Sequence, residues 1–369
     1  QPRAARGGDI PMTGPGAPPF IPGLALSRRF YGQVVAPLLA EHFPGLTYSA
    51  ALLGAGSEVF GYDTPLSTDH DWGPRVLLFL PEDEPSLAEP VVALLRERLP
   101  ATYAGYPVMA PATAPGESPP RTYVGPLRGY VWRALRHDMR RPLEASDWLT
   151  IPSQSLREMT AGEVFHDGLG TLEPLRRALA YYPRDVWLYL LASGWQRLGQ
   201  EEHLMPRAGQ VGDELGASLI GARLVQGVMH LAFLMERRYA PYAKWFGTAF
   251  GELACAPALR PLLWHAQRAA EWREREEALV AAYERLAAMH NALGVTPPLP
   301  ERAMPFFTRP FCVIGGERFA RALVAEIRDP AVRAIAARGL IGGVDQWSDS
   351  TDLKAPAWRQ ALRGLYEEE

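Results

Sequence analysis

The stretch that decides the fold is residues 50–80, AALLGAGSEVFGYDTPLSTDHDWGPRVLLFL. It opens on small and apolar residues, passes through a loop punctuated by Gly54, Gly56 and Gly61, and closes on the apolar run 76–80. That is the pattern of a strand, a small-residue turn, a loop and a buried strand. Gly56-Ser57 stands twelve positions ahead of Asp69-His70-Asp71. Glycine lets the backbone approach a phosphate closely, free amides donate to it, and a serine hydroxyl adds another donor. If Asp69 begins the second strand, alternation puts Asp69 and Asp71 on one face and His70 on the other. Their backbones then lie roughly 7 Å apart, and two carboxylates at that spacing converge on one hard cation. Mg²⁺ suits such a pair, because it takes oxygen ligands and is usually held by one or two carboxylates plus substrate phosphates.

Gly56-Ser57, the spacer, Ser67 and then Asp69 and Asp71 running into an apolar strand resemble the signature of the polymerase-β-like nucleotidyltransferases. From about residue 20 onward the chain is also similar to a bacterial family of predicted nucleotidyltransferases that shares the Asp-His-Asp-Trp-Gly run found here at 69–73. The resemblance implies nucleotide binding at Gly56, Ser57 and Ser67, Mg²⁺ at Asp69 and Asp71, and ATP or another nucleoside triphosphate as co-substrate. The superfamily includes the antibiotic adenylyltransferases, in which a cleft between a nucleotide half and a helical half holds the acceptor, and a third carboxylate usually comes from a neighbouring strand. Residues 101–135 contain only Glu117, inside a loop over 110–120 with four prolines. Glu163 and Asp167, flanking a short apolar strand, are therefore the substitutes. Gly73-Pro74 is a second departure, since a proline withdraws a ladder donor from a strand.

Along the chain, apolar recurrence predicts a first helix over 24–42, a strand over 48–53 and a helix over 86–99 capped by Ser86. Short elements follow near 123–132, 148–151 and 163–166. From residue 172 a helical period takes over, with helices over 185–198, 212–239, 259–291 and 317–327. Leu215, Leu219, Ala222, Val225, Met229 and Phe233 form the expected core stripe of the long 212–239 helix. Trp187, Trp195, Trp245, Trp264 and Trp272 read as packing residues. The expected fold class is an α/β nucleotidyltransferase fold, a mixed sheet with flanking helices over 20–170, followed by an all-α helical domain over 171–369. Residues 1–19, rich in Pro, Gly and Ala without an apolar signal core, read as a flexible tail.

Polar residues that interrupt apolar helical stretches are the candidates for acceptor contact: Asp213, Glu214 and Arg223 on the long helix. Asp213 also has the position of an N-terminal cap. Among 38 basic residues only Lys244 and Lys354 are lysine. Lys244 would offer a compact point charge to a phosphate. Arg121, Arg128, Arg133, Arg136, Arg140 and Arg141, interleaved with Tyr123, Tyr130 and Trp132, could contact RNA, but the net charge of -3 provides no global attraction to nucleic acid. Cys255 and Cys312 are too few and too distant for a zinc site, which favours a reducing, cytoplasmic setting. No apolar run approaches the roughly 20 residues that cross a bilayer. The expected activity is Mg²⁺-dependent transfer of a nucleoside monophosphate to a hydroxyl of a small molecule or protein. The alternatives are a nucleotide-binding regulatory or interaction module without transfer, and an RNA nucleotidyltransferase.

Overall fold

The computed structural model describes residues 18–69, 72–109 and 121–367, with Asp69 described through its backbone. His70, Asp71, Glu117 and all but the last two residues of the expected tail lie outside them. The protein is mixed α/β, with a small mixed sheet and many helices. It divides into two compact units. One comprises the chain up to Arg133 with Glu158–Leu179, and the other Ala134–Arg157 with Ala180 onward.

The first unit is built on a four-stranded sheet. In chain order its elements are helix α1 (Gly23–Phe30), a π-helical turn (Tyr31–Val35), α2 (Ala36–His42), β1 (Ser49–Leu52), β2 (Val76–Leu80) and α3 (Ala88–Arg98). The small hairpin β3 (Thr102–Tyr103) and β4 (Tyr106–Pro107), then β5 (Thr122–Pro126), the start of α4 (Leu127–Leu135), β6 (Glu163–Asp167) and α7 (Leu172–Ala178) complete it. The sheet order is β5-β2-β1-β6, with β1 antiparallel to both neighbours and β2 parallel to β5. Every residue of β1 and β2 is buried, which is why β2, and β1 after Ser49, read as apolar runs instead of alternating ones. Phe30, Val35 and Leu39 pack with Ala50, Val76, Leu78 and Leu80 over one face, joined by Val91 and Leu95 of α3.

The helix expected over 24–42 is one helical path with a π turn in its middle. Pro37 follows directly on that turn, in the first turn of α2. Ser86 is no side-chain cap; it lies in a 3-10 turn, Pro85–Leu87, that leads into α3.

The second unit is helical. Its principal elements are α5 (Ala145–Thr150), the first part of α6 (Ser153–Thr160), α8 (Arg184–Glu201), α9 (Leu204–Gln210), α10 (Glu214–Met235) and α11 (Ala243–Phe250). They are followed by α12 (Ala256–Arg268), α13 (Trp272–Ala292) and α14 (Gly316–Ala325). Helix α8 packs on α10 and α14, and α10 also packs on α9, α12 and α13. The crossing of α8 and α14 is close because Gly199 faces Gly316; a Cβ on Gly199 would lie 2.9 Å from the Glu317 amide. Trp195 stacks on Phe319 beside that crossing, with ring centroids 4.2 Å apart.

Several expectations are corrected here. The buried residues of α10 are Ala217, Gly221, Leu224, Val225, Val228, Leu231, Ala232, Phe233 and Met235, so Val225 and Phe233 of the expected stripe are buried, whereas Leu215 is 73% and Leu219 is 59% exposed and Ala222 is exposed. A helix this apolar on most of its faces gives its period little power to choose the buried one. It is also long and apolar enough by length and composition to cross a membrane, contrary to the expectation that no run is; 44% of its most apolar window is buried within the protein. The helix expected over 259–291 is two helices, α12 and α13, broken at extended Ala269. Trp187, Trp195 and Trp272 are core residues, but Trp264 is half exposed.

Candidate functional site

At its C-terminal end β1 runs into Leu53 and then the turn Gly54-Ala55-Gly56-Ser57, which opens a short 3-10 helix, Ser57–Val59. Gly54 and Gly56 have φ of +89° and +141°, values that L side chains rarely adopt. A Cβ on Gly56 would lie 2.5 Å from Nη2 of Arg75 and 2.6 Å from Oε2 of Glu58, and one on Gly54 would lie 2.5 Å from the Tyr130 hydroxyl. Thus the turn lies directly on a guanidinium, a carboxylate and a phenol.

Glu58 is buried and forms an ion pair with Arg75 at 2.7 Å. Burial raises its carboxyl above the ordinary carboxylate range, and the Arg75 charge offsets only part of that. Arg75 also donates to the Ala55 carbonyl, while its backbone amide donates to the Ser27 hydroxyl at 3.2 Å. The Nε of Arg75 is buried and has no hydrogen-bond partner among the described residues. Tyr130 is packed against Phe79 and Tyr123, and burial pushes its phenol up to about 12. Half-buried Ser57 gives its carbonyl to the amides of Phe60 and Tyr62. Its own amide and hydroxyl have no partner among the described residues.

Because β1 and β2 are antiparallel, the end of β1 lies beside the start of β2, and β6 begins at the same sheet end with Glu163 opposite Leu52. Residues 72–75 lead into the sheet there. The approach differs from the sequence reading: Asp69 closes a 3-10 turn, Pro65–Asp69, and the strand starts only at Val76. Strand alternation therefore does not orient Asp69, and Gly73-Pro74 precedes the ladder, so Pro74 removes no strand donor. Trp72, just after the pair, is buried and held by Asp63, whose Oδ2 accepts from the indole Nε1 at 3.0 Å and from the Gly23 amide at 2.6 Å. Phe20 stacks on Trp72 with centroids 5.7 Å apart.

Ser67 is engaged locally, its hydroxyl accepting from the Thr64 amide at 3.0 Å. Glu163 accepts from Nε of Arg28 at 2.6 Å. Asp167 is at the other end of β6, opposite Ser49, whose hydroxyl donates to it at 2.6 Å; it also accepts from the Glu173 amide at 3.0 Å at the start of α7. Burial alone would raise the Asp167 carboxyl, but these hydrogen bonds outweigh it and hold the group below the usual range. Asp167 is thus a cap, remote from the Gly56 turn along the strand.

In the second unit Asp213 caps α10 by accepting from the Gly216 amide at 2.8 Å. Glu214 accepts from the Trp272 amide at 3.1 Å and pairs with Arg275 at 3.4 Å. Arg223 pairs with Glu201 at 3.1 Å. Lys244 is exposed in the first turn of α11, its ammonium 4.9 Å from the Trp245 ring centre. Each of these polar residues already has a structural partner. The arginine series is likewise partly neutralised, with Arg140 on Asp138 and Arg141 on Asp147 at 3.0 Å. Among the described residues no three His, Cys, Asp or Glu side chains gather at metal-ligand spacing.

A family model described as a domain of unknown function (DUF4037) matches residues 148–246. No curated protein and no solved structure matches the chain. The matched segment carries Glu163, Asp167, Asp213, Glu214, Arg223 and Lys244 and excludes the Gly56 turn.

Sequence reasoning missed Glu58, Arg75 and Asp63, and read Tyr130 only as part of an arginine and aromatic series. The available signal was positional: Glu58 directly follows Gly56-Ser57, and Arg75 directly precedes the strand.

Proposed function

We propose that the protein is a Mg²⁺-dependent nucleotidyltransferase that moves a nucleoside monophosphate, AMP from ATP in the first instance, onto a hydroxyl of a small molecule or protein. The supporting observation is the Gly54–Ser57 turn seated on Arg75 and Glu58, at the sheet end where residues 72–75 lead into β2. In this reading the Ser57 amide and hydroxyl donate to phosphate oxygens, and Gly56 lets the chain come close enough for that contact. Arg75 sets the shape of the turn from beneath, with Glu58 balancing its charge. Asp69 and Asp71 would hold Mg²⁺, whose carboxylate and phosphate ligands suit it and which supplies a clamp that neutralises charge developing on the phosphates.

A nucleotide-binding module without transfer is the second reading. It is favoured by β5, the strand beside β2, which carries no acid, and by the capping role of Asp167. A two-stage experiment separates the readings. Melting temperature is measured with ATP, with Mg²⁺ and with both, for wild type and for the double variant Asp69→Asn, Asp71→Asn. A ligand at about 100 times its Kd stabilises the folded state by about 2.7 kcal/mol. That shift should need both components and vanish in the double variant; an undiminished shift there would remove metal-bridged binding. Labelled ATP and Mg²⁺ are then incubated with the protein and cell extracts. Label on an acceptor supports transfer, and nucleotide binding without any labelling supports the module.

A further inference from the structure

The helical unit contains two polar helix faces that its own packing leaves open. On α8, Ser193, Gln196, Arg197, Gln200 and Glu201 recur at three-to-four spacing and line a groove of about 620 Å³, closed opposite by Leu340, Ile341 and Trp347. On α10, an otherwise apolar helix, Arg223, Gln226, Gly227 and His230 share one face. That face lines an adjoining cavity of about 90 Å³ with Arg197, Glu201 and residues 345–349. The groove is within the 300 to 1,000 Å³ span of small-molecule sites.

Its charges are largely cancelled internally. Glu201 pairs with Arg223 at 3.1 Å and Asp345 with Lys354 at 3.1 Å, and the two lining charges outside those ion pairs, Arg197, which donates to the Gln346 carbonyl, and Asp349, are of opposite sign. Asp345 further accepts from the Ser153 amide at 2.6 Å. Gln346 is spent on the Leu190 carbonyl and the Gly343 amide. Burial holds the His230 imidazole well below its usual value, so it is neutral near pH 7. The groups left without partners among the described residues are the amides of Gln196, Gln200 and Gln226, with exposed Asp349 at the rim. Trp347 supplies a flat apolar surface, pinned by its Nε1 donating to the Tyr366 hydroxyl at 3.0 Å.

A charged ligand would meet both signs in a lining with no net charge, whereas free amides offer paired donors and acceptors that match hydroxyls, and an indole covers a C–H face. We infer that this groove, with the adjoining cavity, is a second ligand site, taking a neutral polyhydroxylated molecule of the saccharide or polyol class, with Gln196 and Gln200 of the groove and Gln226 of the cavity binding hydroxyls and Trp347 stacking on the carbon face. The site is independent of the proposed nucleotide chemistry, and its test uses no nucleotide.

Saturation-transfer NMR on the full chain, with glucose, N-acetylglucosamine, trehalose and myo-inositol as probes, and spermidine and inorganic phosphate as charged controls, tests this. At least one neutral probe should show saturable transfer with a Kd of about millimolar order. Gln200→Leu and Gln226→Leu should each weaken it about fivefold to tenfold, the loss of one neutral hydrogen bond, with melting temperature unchanged. If Gln226→Leu fails to fold, exposed Gln200→Glu carries the same comparison. The inference is overturned if no neutral probe saturates, if the glutamine variants bind as wild type does, or if a charged control binds instead with the same dependence on these residues.

Discussion

Gly56 and Gly61 separate two costs that a single substitution would mix. Both have positive φ, +141° and +71°, but a Cβ on Gly61 would meet nothing within 4 Å. Gly61→Ala should therefore cost only backbone strain, about 1 kcal/mol, and leave nucleotide binding alone. Gly56→Ala adds a collision with Arg75 and Glu58, so it should cost about 2–3 kcal/mol and abolish the shift in melting temperature given by ATP with Mg²⁺. A Gly56→Ala protein with the full shift would detach the turn from nucleotide binding. The turn at Gly54–Ser57 was legible because the chemistry of a glycine-rich turn is local. Glu58 and Arg75 were not, because strand register, not a motif, brings together two residues seventeen positions apart, and one more arginine in an arginine-rich chain carries no signal. The rarity of lysine is compositional, and Lys244 has its ammonium 4.9 Å from the centre of the neighbouring indole.

Between residue 60 and β2, one side chain ties several elements together. Oδ2 of Asp63 holds the N-terminus of α1 through the Gly23 amide and the approach to β2 through Trp72. Asp63→Ala leaves both donors unpaired, and the expected destabilisation is about 2 kcal/mol, since hydrogen bonds to a charged acceptor are worth more than neutral ones. The indole N–H resonance of Trp72 should shift in the variant; an unmoved resonance would show that packing on Phe20 and Tyr106 fixes the ring unaided. At this scale β1 and β2 were readable from apolar runs bounded by glycine and proline. The α12–α13 break was not, because Ala269-Ala270 are good helix formers and tertiary packing, not propensity, turns the chain there.

For the molecule as a whole, the sequence led to an α/β part followed by a helical part, but the assignment of Ala134–Arg157 to the helical unit rests on partners that sequence distance hides. Arg359 donates to the Leu135 carbonyl across 224 positions, and Arg363 joins Asp147 across 216. The stability of that unit should carry a pH signature from His290. Its ring is fully buried against Phe319 at 4.9 Å and Trp195 at 6.0 Å; Nε2 meets the Thr296 hydroxyl at 3.0 Å, and Nδ1 has no partner among the described residues. Burial lowers its pKa from 6.5 to about 4. A depressed histidine contributes stability that is present above the unfolded value and lost as pH falls through the folded one, so the window is pH 6.5 down to about 4. At 1.36 kcal/mol per pH unit the loss approaches about 3 kcal/mol. Urea unfolding of wild type and His290→Gln at pH 7 and pH 4.5 isolates this residue from the other acid-sensitive groups. The wild type should lose about 2–3 kcal/mol more than the variant over that interval, and equal losses would mean that the imidazole gains its proton without opening the core.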